Sequence, residues 1–112
     1  TSAKFPKNVS EFERCGLTEE YAEGFSAPFV KEGTIKLGMQ FEEEIPIRRN
    51  NTTLIIGSVR IALIPDHADS GEGHLDLEAS EAVGISGLNS YYRLTQLTQF
   101  PYARPDQIPD LR

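Results

Sequence analysis

The sequence predicts a mainly β fold, and three features of its middle section carry that prediction. Apolar side chains alternate with polar or small ones from Ile35 to Phe41, the period of a strand with one buried face. A nearly uninterrupted apolar stretch follows at residues 53–64. The polar segment between them contains Asn50 and Asn51, which tolerate the left-handed backbone of a tight reversal. These features predict a long β-hairpin, which needs further sheet around it.

The first predicted strand covers residues 35–47 and contains one irregularity. Its alternation continues to Ile45 and Ile47, but Glu43 then falls on the apolar face. This mismatch predicts a β-bulge at residues 42–44. Pro46 has no N–H to donate, which places this part of the strand at a sheet edge or beside the bulge.

The second predicted strand, residues 53–64, is apolar on both faces. Ile55 and Ile61 share one face, and Leu54 and Ile56 share the other. A strand of this kind is central in a sheet, or lies in a barrel with other elements packed outside it. We therefore expect Ile55 and Ile61 to be core residues, and Gly57 to mark a bend or a close backbone approach.

Two short helices are predicted before the hairpin. Asn8 or Ser10 can cap the first, which ends at about Cys15 before a glycine, and Thr18 can cap the second over residues 19–23. After the hairpin, residues 66–73 are predicted to be a polar loop, and residues 75–83 either a short helix or an extended segment. Residues 91–97 are predicted to form a last short strand or turn, and the chain from Phe100 onward a tail.

Size, charge and cysteine content exclude several classes of protein. We interpret residues 1–112 as a single domain. The net charge of −6 and the scattered basic residues argue against nucleic-acid binding. The longest apolar run contains Arg60 and falls short of the roughly twenty residues that a membrane span needs. A single cysteine, Cys15, cannot form an internal disulfide, which fits a reducing compartment, so we expect a cytoplasmic protein.

One cluster of potential metal ligands lies within a single loop. Its members are His67, Asp69, Glu72, His74 and Asp76. Metal sites usually take their ligands from rigid elements, and this loop is rich in glycine and acidic residues. We therefore favour a solvated loop over a metal site and predict no metal.

A short segment near residue 90 is the best candidate for ligand binding. It places an amide, a hydroxyl, two aromatic rings and a guanidinium together beside glycines: Asn89, Ser90, Tyr91, Tyr92 and Arg93. Such a set can stack on a planar ligand and hold a phosphate or a carbonyl group. The alternative is that the tyrosines belong to the core and that the arginine lies on the surface.

Seven segments follow one another in a recognisable order: VSEFE (residues 9–13), CGLT (15–18), APFVKE (27–32), TLIIGSV (53–59), the loop at residues 66–77, GISGLNSY (84–91) and FPYARP (100–105). Their order and spacing resemble the C-terminal half of the flavin reductase-like, FMN-binding split-barrel family. The family more often has an acidic residue at the position of Ser58, and often a glycine pair at Leu88 and Asn89. The family's N-terminal strands and phosphate-binding residues have no counterpart in this sequence.

The resemblance implies a fold, a cofactor and partners. The fold would be part of an FMN-binding split β-barrel, and residues 89–93 would lie beside the flavin. The whole protein would be a homodimer that passes electrons from a nicotinamide to flavin, or to an oxygenase or other redox partner. This piece alone would bind FMN weakly. The alternative is a non-catalytic binding or structural module of the same fold without a cofactor.

Overall fold

Strands make up most of the regular secondary structure. The structure, a computed structural model, describes residues 3–106. It contains the elements α1 (Glu11–Cys15), β1 (Glu19–Glu20), β2 (Phe29–Val30), β3 (Lys36–Ile47), β4 (Thr52–Leu63), a 3₁₀ helix (Asp66–Ala68), β5 (Val83–Ser86) and β6 (Ser90–Arg93). The strands form three antiparallel two-stranded sheets, β1–β2, β3–β4 and β5–β6. The predicted mainly β class is confirmed. The end of the predicted tail, residues 107–112, lies outside the described residues.

The predicted long hairpin is present as β3 and β4, which are 12 residues each. Asn51 closes the turn with a positive φ of 54°. The Asn50 side-chain oxygen accepts hydrogen bonds from the backbone N–H and the hydroxyl of Thr52, at 3.3 and 2.6 Å. The two asparagines therefore make the turn in the way that the sequence predicted. We call β3 and β4 together the ribbon.

Two bulges interrupt the ribbon. One lies between Phe41 and Glu43, where Glu42 has no partner in the register, and it confirms the bulge predicted at residues 42–44. The other, which the sequence analysis missed, leaves Arg60 unpaired in β4. Ser58 Oγ donates to Glu42 Oε1 at 2.6 Å, and Arg60 Nε donates to Gln40 Oε1 at 2.7 Å. These four side chains form a polar band across the middle of the ribbon.

The register divides the ribbon into two faces, since cross-strand partners share a side. The apolar face carries large side chains over its proximal and middle parts, and Glu44 and Thr53 lie at its distal end. These large side chains are Leu37, Met39, Phe41, Ile55 and Val59. The mixed face begins at Gly38, continues through the polar band and ends in a distal patch of four aliphatic side chains: Ile45, Ile47, Leu54 and Ile56. All nine of these large side chains are exposed in this chain.

The prediction that Ile55 is a core residue is therefore wrong within the described residues. Its side chain is 58% exposed, whereas Ile61 is half-buried. The reason is that β4 pairs with β3 alone in the described part of the chain, and no other element lies over Ile55. The sequence of β4 is apolar on both faces, which is typical of a strand with protein packed on each side. Among residues 3–106, no element packs on the face that carries Ile55.

The ribbon is anchored to the rest of the chain at its proximal end. Gly38 is buried beneath Phe25 and Ile61, and a Cβ built there would lie 2.3 Å from Ile61 Cγ2 and 2.9 Å from Phe25 Cζ. Phe25 in turn contacts the buried Phe29, with ring centroids 5.3 Å apart. An ion pair between Lys36 and Glu20 closes the same corner. Glycine is required at this position because any side chain would displace the aromatic anchor.

The first predicted helix is confirmed as α1, which ends at Gly16 with a left-handed φ of 67°. The second predicted helix, over residues 19–23, is wrong, because Glu19–Glu20 is strand β1 and pairs with β2. Thr18 does not cap a helix, because its backbone N–H and carbonyl are both hydrogen-bonded to the segment that follows β2. Its N–H donates to both carboxylate oxygens of Glu32, at 3.0 and 3.1 Å, and its carbonyl accepts from the Lys31 N–H at 2.9 Å.

The chain exposes far more surface than a compact domain of its size. Its accessible surface is 10117 Å², whereas a folded chain of its mass exposes about 6,200 Å². Its radius of gyration is 18.1 Å, against about 13 Å for a compact domain of this length.

No helix among residues 3–106 is long and apolar enough to cross a membrane.

We predict that Gly38→Ala lowers the free energy of unfolding by about 1–3 kcal/mol, because the new methyl group overpacks the Phe25–Ile61 contact. Urea denaturation followed by circular dichroism measures this change. Ile61→Ala removes the atom nearest to the clash, so the double variant should lose less stability than the sum of the two single variants. A stable Gly38→Ala variant would show that the anchor is looser than described.

Glu32 should contribute to stability in a pH-dependent way. Hydrogen bonds from Thr18 lower the pKa of this exposed carboxyl from 4.5. A lowered pKa in the folded state means that the contribution is present above the unfolded pKa and is lost as the pH falls through the folded pKa. Glu32→Gln should flatten the acid limb of a plot of unfolding midpoint against pH, whereas Glu23→Gln serves as the control. Identical acid limbs in wild type and Glu32→Gln would contradict this role.

Candidate functional site

The hairpin β5–β6 carries the residues that the sequence analysis selected. Gly87 reverses the chain with a φ of 61°, and Asn89 completes the turn. Ser90, Tyr91, Tyr92 and Arg93 form β6 and pair in register with β5. Glycine at position 87 permits the left-handed conformation that this tight reversal needs.

Strand alternation divides these residues between two faces of the hairpin. Tyr91 and Arg93 lie opposite Ile85 and Val83, while Ser90 and Tyr92 lie opposite Ser86 and Gly84. The Ser86 hydroxyl donates to the Tyr92 hydroxyl at 3.1 Å. Because Tyr91 and Tyr92 lie on opposite faces, the two rings cannot both stack on one ligand held against one face of this hairpin.

Neither tyrosine is a core residue in the described part of the chain. Tyr91 is 65% exposed and Tyr92 is 56% exposed. The hairpin therefore presents both faces outward, as the ribbon does. Both side chains are therefore available to contact a ligand or another protein segment.

An open concavity of about 460 Å³ lies beside the hairpin. Tyr91, Tyr92 and Arg93 line it together with Glu78 and Glu81, and Ala82, Val83 and Leu94 complete the wall. Two acidic residues and one arginine line this concavity, and the resulting net negative charge disfavours a phosphate. The aromatic and aliphatic lining fits a planar ring, and the arginine fits a carbonyl at the edge of that ring.

A compact turn positions the two carboxylates, and the sequence analysis missed both. Asp76 organises the turn, because its side chain accepts the Ala79 N–H at 2.8 Å and its carbonyl accepts the Ser80 N–H at 3.0 Å. Glu78 and Glu81 follow within this turn, and the Glu78 carboxylate also accepts the Gln96 N–H at 3.0 Å. Residues 75–83, for which the sequence predicted either a short helix or an extended segment, therefore form a turn that leads into β5. The sequence signal that could have identified the two glutamates is their position in this turn, just before a strand.

The acidic loop before this turn is organised by its own hydrogen bonds. The Asp69 carboxylate accepts the Gly71 N–H at 2.9 Å, the Ser70 hydroxyl donates to the His74 carbonyl at 2.6 Å, and Asp69 bridges to Leu75. Within residues 3–106, no group of three His, Cys, Asp or Glu side chains is placed to hold a metal ion.

Comparison with solved structures decides the family. The chain superposes on a protein from Shewanella frigidimarina NCIMB 400 that is designated a flavin reductase with a split barrel domain. The TM-score is 0.83 and the identity is 41%, over 91% of this chain and 52% of that one. The chain belongs to the flavin reductase-like split-barrel family. No family model matches the sequence, and no curated protein matches it.

Two more distant structures share the fold. Nitrilotriacetate monooxygenase component B from Bacillus cereus matches with a TM-score of 0.73 and 26% identity, over 88% of this chain and 50% of that one. Flavoredoxin of Desulfovibrio vulgaris (Miyazaki F) matches with a TM-score of 0.67 and 20% identity, over 86% of this chain and 50% of that one. The chain spans about half the length of the split-barrel proteins that it matches.

Proposed function

We propose that this chain forms part of an FMN-dependent, flavin reductase-like oxidoreductase that passes electrons from a nicotinamide to flavin or to a partner protein. The observation that carries the proposal is the 41% identity, over nearly the whole chain, to a protein designated a flavin reductase. The resemblance of the sequence segments to the C-terminal half of the family supports the same assignment.

The chain would supply one wall of the flavin site. When bound, the flavin supplies the hydride chemistry, and the protein binds and orients it. The face of β6 that carries Tyr91 and Arg93 offers a ring for packing and a guanidinium for a carbonyl edge. Glu78 and Glu81 repel a phosphate, so the phosphate contacts would come from outside the described residues. Tyr92 also lines the concavity, whereas Asn89 and Ser90 would meet the flavin only if the ligand extends to the turn.

We also propose a homodimer and a redox partner. The large exposed apolar surface supports self-association, because such surface is rarely left bare in solution. The Bacillus cereus relative is a component of a monooxygenase, which supports an oxygenase as the partner of this chain. A cytoplasmic location agrees with the single free Cys15.

A second candidate is a binding or structural module that holds no cofactor. The division of Tyr91 and Tyr92 between two faces and the acidic wall of the concavity favour it. The colour of the purified protein separates the two candidates, since a bound oxidised flavin is yellow and a cofactor-free module is colourless.

We predict that titration with FMN, followed by flavin fluorescence, shows weak binding that depends on Tyr91 and Arg93. Arg93→Ala should weaken binding about tenfold or more, because a hydrogen bond to a charged group contributes roughly 1.5–3 kcal/mol. Tyr91→Ala should weaken it by a similar factor through lost stacking. Tyr102→Ala is the control, because it removes an equally polar aromatic side chain from the exposed tail.

Unchanged affinity in both variants would remove this face of β6 from the flavin site. Equal weakening in all three variants would indicate a general loss of structure, which circular dichroism of each variant would reveal. No binding by wild type in a sample that retains its β spectrum would favour the cofactor-free module.

A further inference from the structure

The turn before β5 carries a glutamate at a position that usually takes glycine. The Ala82 N–H donates to the Leu77 carbonyl, and the Glu81 N–H donates to the Glu78 carbonyl, both at 3.0 Å. This pair of hydrogen bonds closes the ends of many helices, and its left-handed residue is usually glycine. Here that residue is Glu81, with a φ of 55°. Because a side chain is strained in this conformation, the backbone of the turn does not require a glutamate.

Both glutamates of the turn line the concavity beside β6. Glu78 is held in place, because its carboxylate accepts the Gln96 N–H at 3.0 Å. Arg93 is the basic residue of the same wall, and within residues 3–106 it forms no ion pair with either glutamate. The wall therefore places two negative charges and one positive charge close to any ligand that packs against Tyr91.

The charge of a flavin ring changes when the ring is reduced. A hydride from a reduced nicotinamide brings two electrons and one proton to N5 of the ring. The donor leaves as its oxidised cation, and the flavin keeps one negative charge at N1 and the neighbouring carbonyl. Protein charges near these atoms shift the balance between the two redox states. A wall of net negative charge destabilises the anionic reduced ring relative to the neutral oxidised ring.

We propose that Glu78 and Glu81 make this site discriminate between redox states, so that reduced flavin binds more weakly than oxidised flavin. The inference rests on the proposed flavin site and adds the role of its acidic wall. Binding and reduction form a closed cycle. A reduced form that binds tenfold more weakly than the oxidised form therefore lowers the two-electron potential of bound flavin by about 30 mV. Arg93 acts in the opposite direction, since a guanidinium favours the anion.

The test measures the dissociation constants of oxidised and dithionite-reduced riboflavin by anaerobic equilibrium dialysis against the complete 112-residue chain. Riboflavin is the probe because it lacks the phosphate, which the same carboxylates would repel. The ratio of the reduced to the oxidised dissociation constant should exceed one in wild type. It should fall about tenfold in the double variant Glu78→Gln with Glu81→Gln, which raises the potential of bound flavin by about 30 mV. Glutamine at position 78 keeps an acceptor for the Gln96 N–H.

Glu72→Gln is the matched control. The Glu72 carboxylate also accepts a hydrogen bond from the segment after β6, from Gln99 Nε2 at 3.1 Å, but it does not line the concavity. This variant should change the ratio less than about twofold, because exposed charges outside the site are screened. Arg93→Gln should raise the ratio, and a general loss of structure would not reverse the sign of the effect.

Glu81→Gly separates the charge from the folding of the turn. It removes the carboxylate and relieves the left-handed backbone, so its urea midpoint should be no lower than that of wild type. Its ratio should still fall about threefold.

Three outcomes would overturn the inference. An unchanged ratio in the double variant, with oxidised riboflavin still bound, would remove the role of the acidic wall and leave the flavin site standing. Equal changes in the double variant and in Glu72→Gln would show an effect of the chain's total charge. A wild type that binds neither form of riboflavin would overturn the flavin site and this inference together.

Discussion

The structure depends on one constraint: a two-stranded ribbon with apolar side chains on both faces has to be covered on both. Isolated hairpins are marginal in water, and additional strands or packed helices are needed for stability. Here the chain's own cover is confined to the proximal end, where Phe25 and Ile61 close over Gly38. The rest of the ribbon exposes large aliphatic and aromatic side chains. The accessible surface of 10117 Å² reflects how much of the chain is left without packed protein over it.

The same constraint governs the candidate site. The hairpin β5–β6 presents Tyr91 and Tyr92 on opposite faces, and neither face has a second wall within the described residues. A flavin needs contacts around its ring and at its phosphate, while this chain offers one aromatic face, one guanidinium and two carboxylates. The matched split-barrel proteins are about twice as long as this chain, which agrees with the proposal that the phosphate contacts come from outside the described residues.

Much of the fold could be predicted from local sequence signals. The alternation in β3, the asparagine turn and the misplaced Glu43 located the hairpin and one bulge, because each feature depends on neighbours in sequence. The prediction of a second helix was wrong because it used only neighbouring residues. Thr18 and Glu32 are 14 residues apart, and their hydrogen bonds form only when β1 pairs with β2. The core assignment of Ile55 was wrong because its apolar pattern does not say what packs on it, and no element among residues 3–106 lies over it. Glu78 and Glu81 line the same concavity as Arg93, and no local sequence pattern reveals that they come together there.

Amide hydrogen exchange along the ribbon, measured over a series of chain concentrations, tests the central claim most directly. If the ribbon needs cover from outside this chain, the distal amides between Ile45 and Leu54 should exchange by local opening in a dilute monomer. Their protection should then rise as molecules associate, while the anchored amides near Gly38 stay more protected throughout. Full protection of the distal amides in a dilute monomer, unchanged with concentration, would contradict the account, because it would show that the bare ribbon is stable by itself.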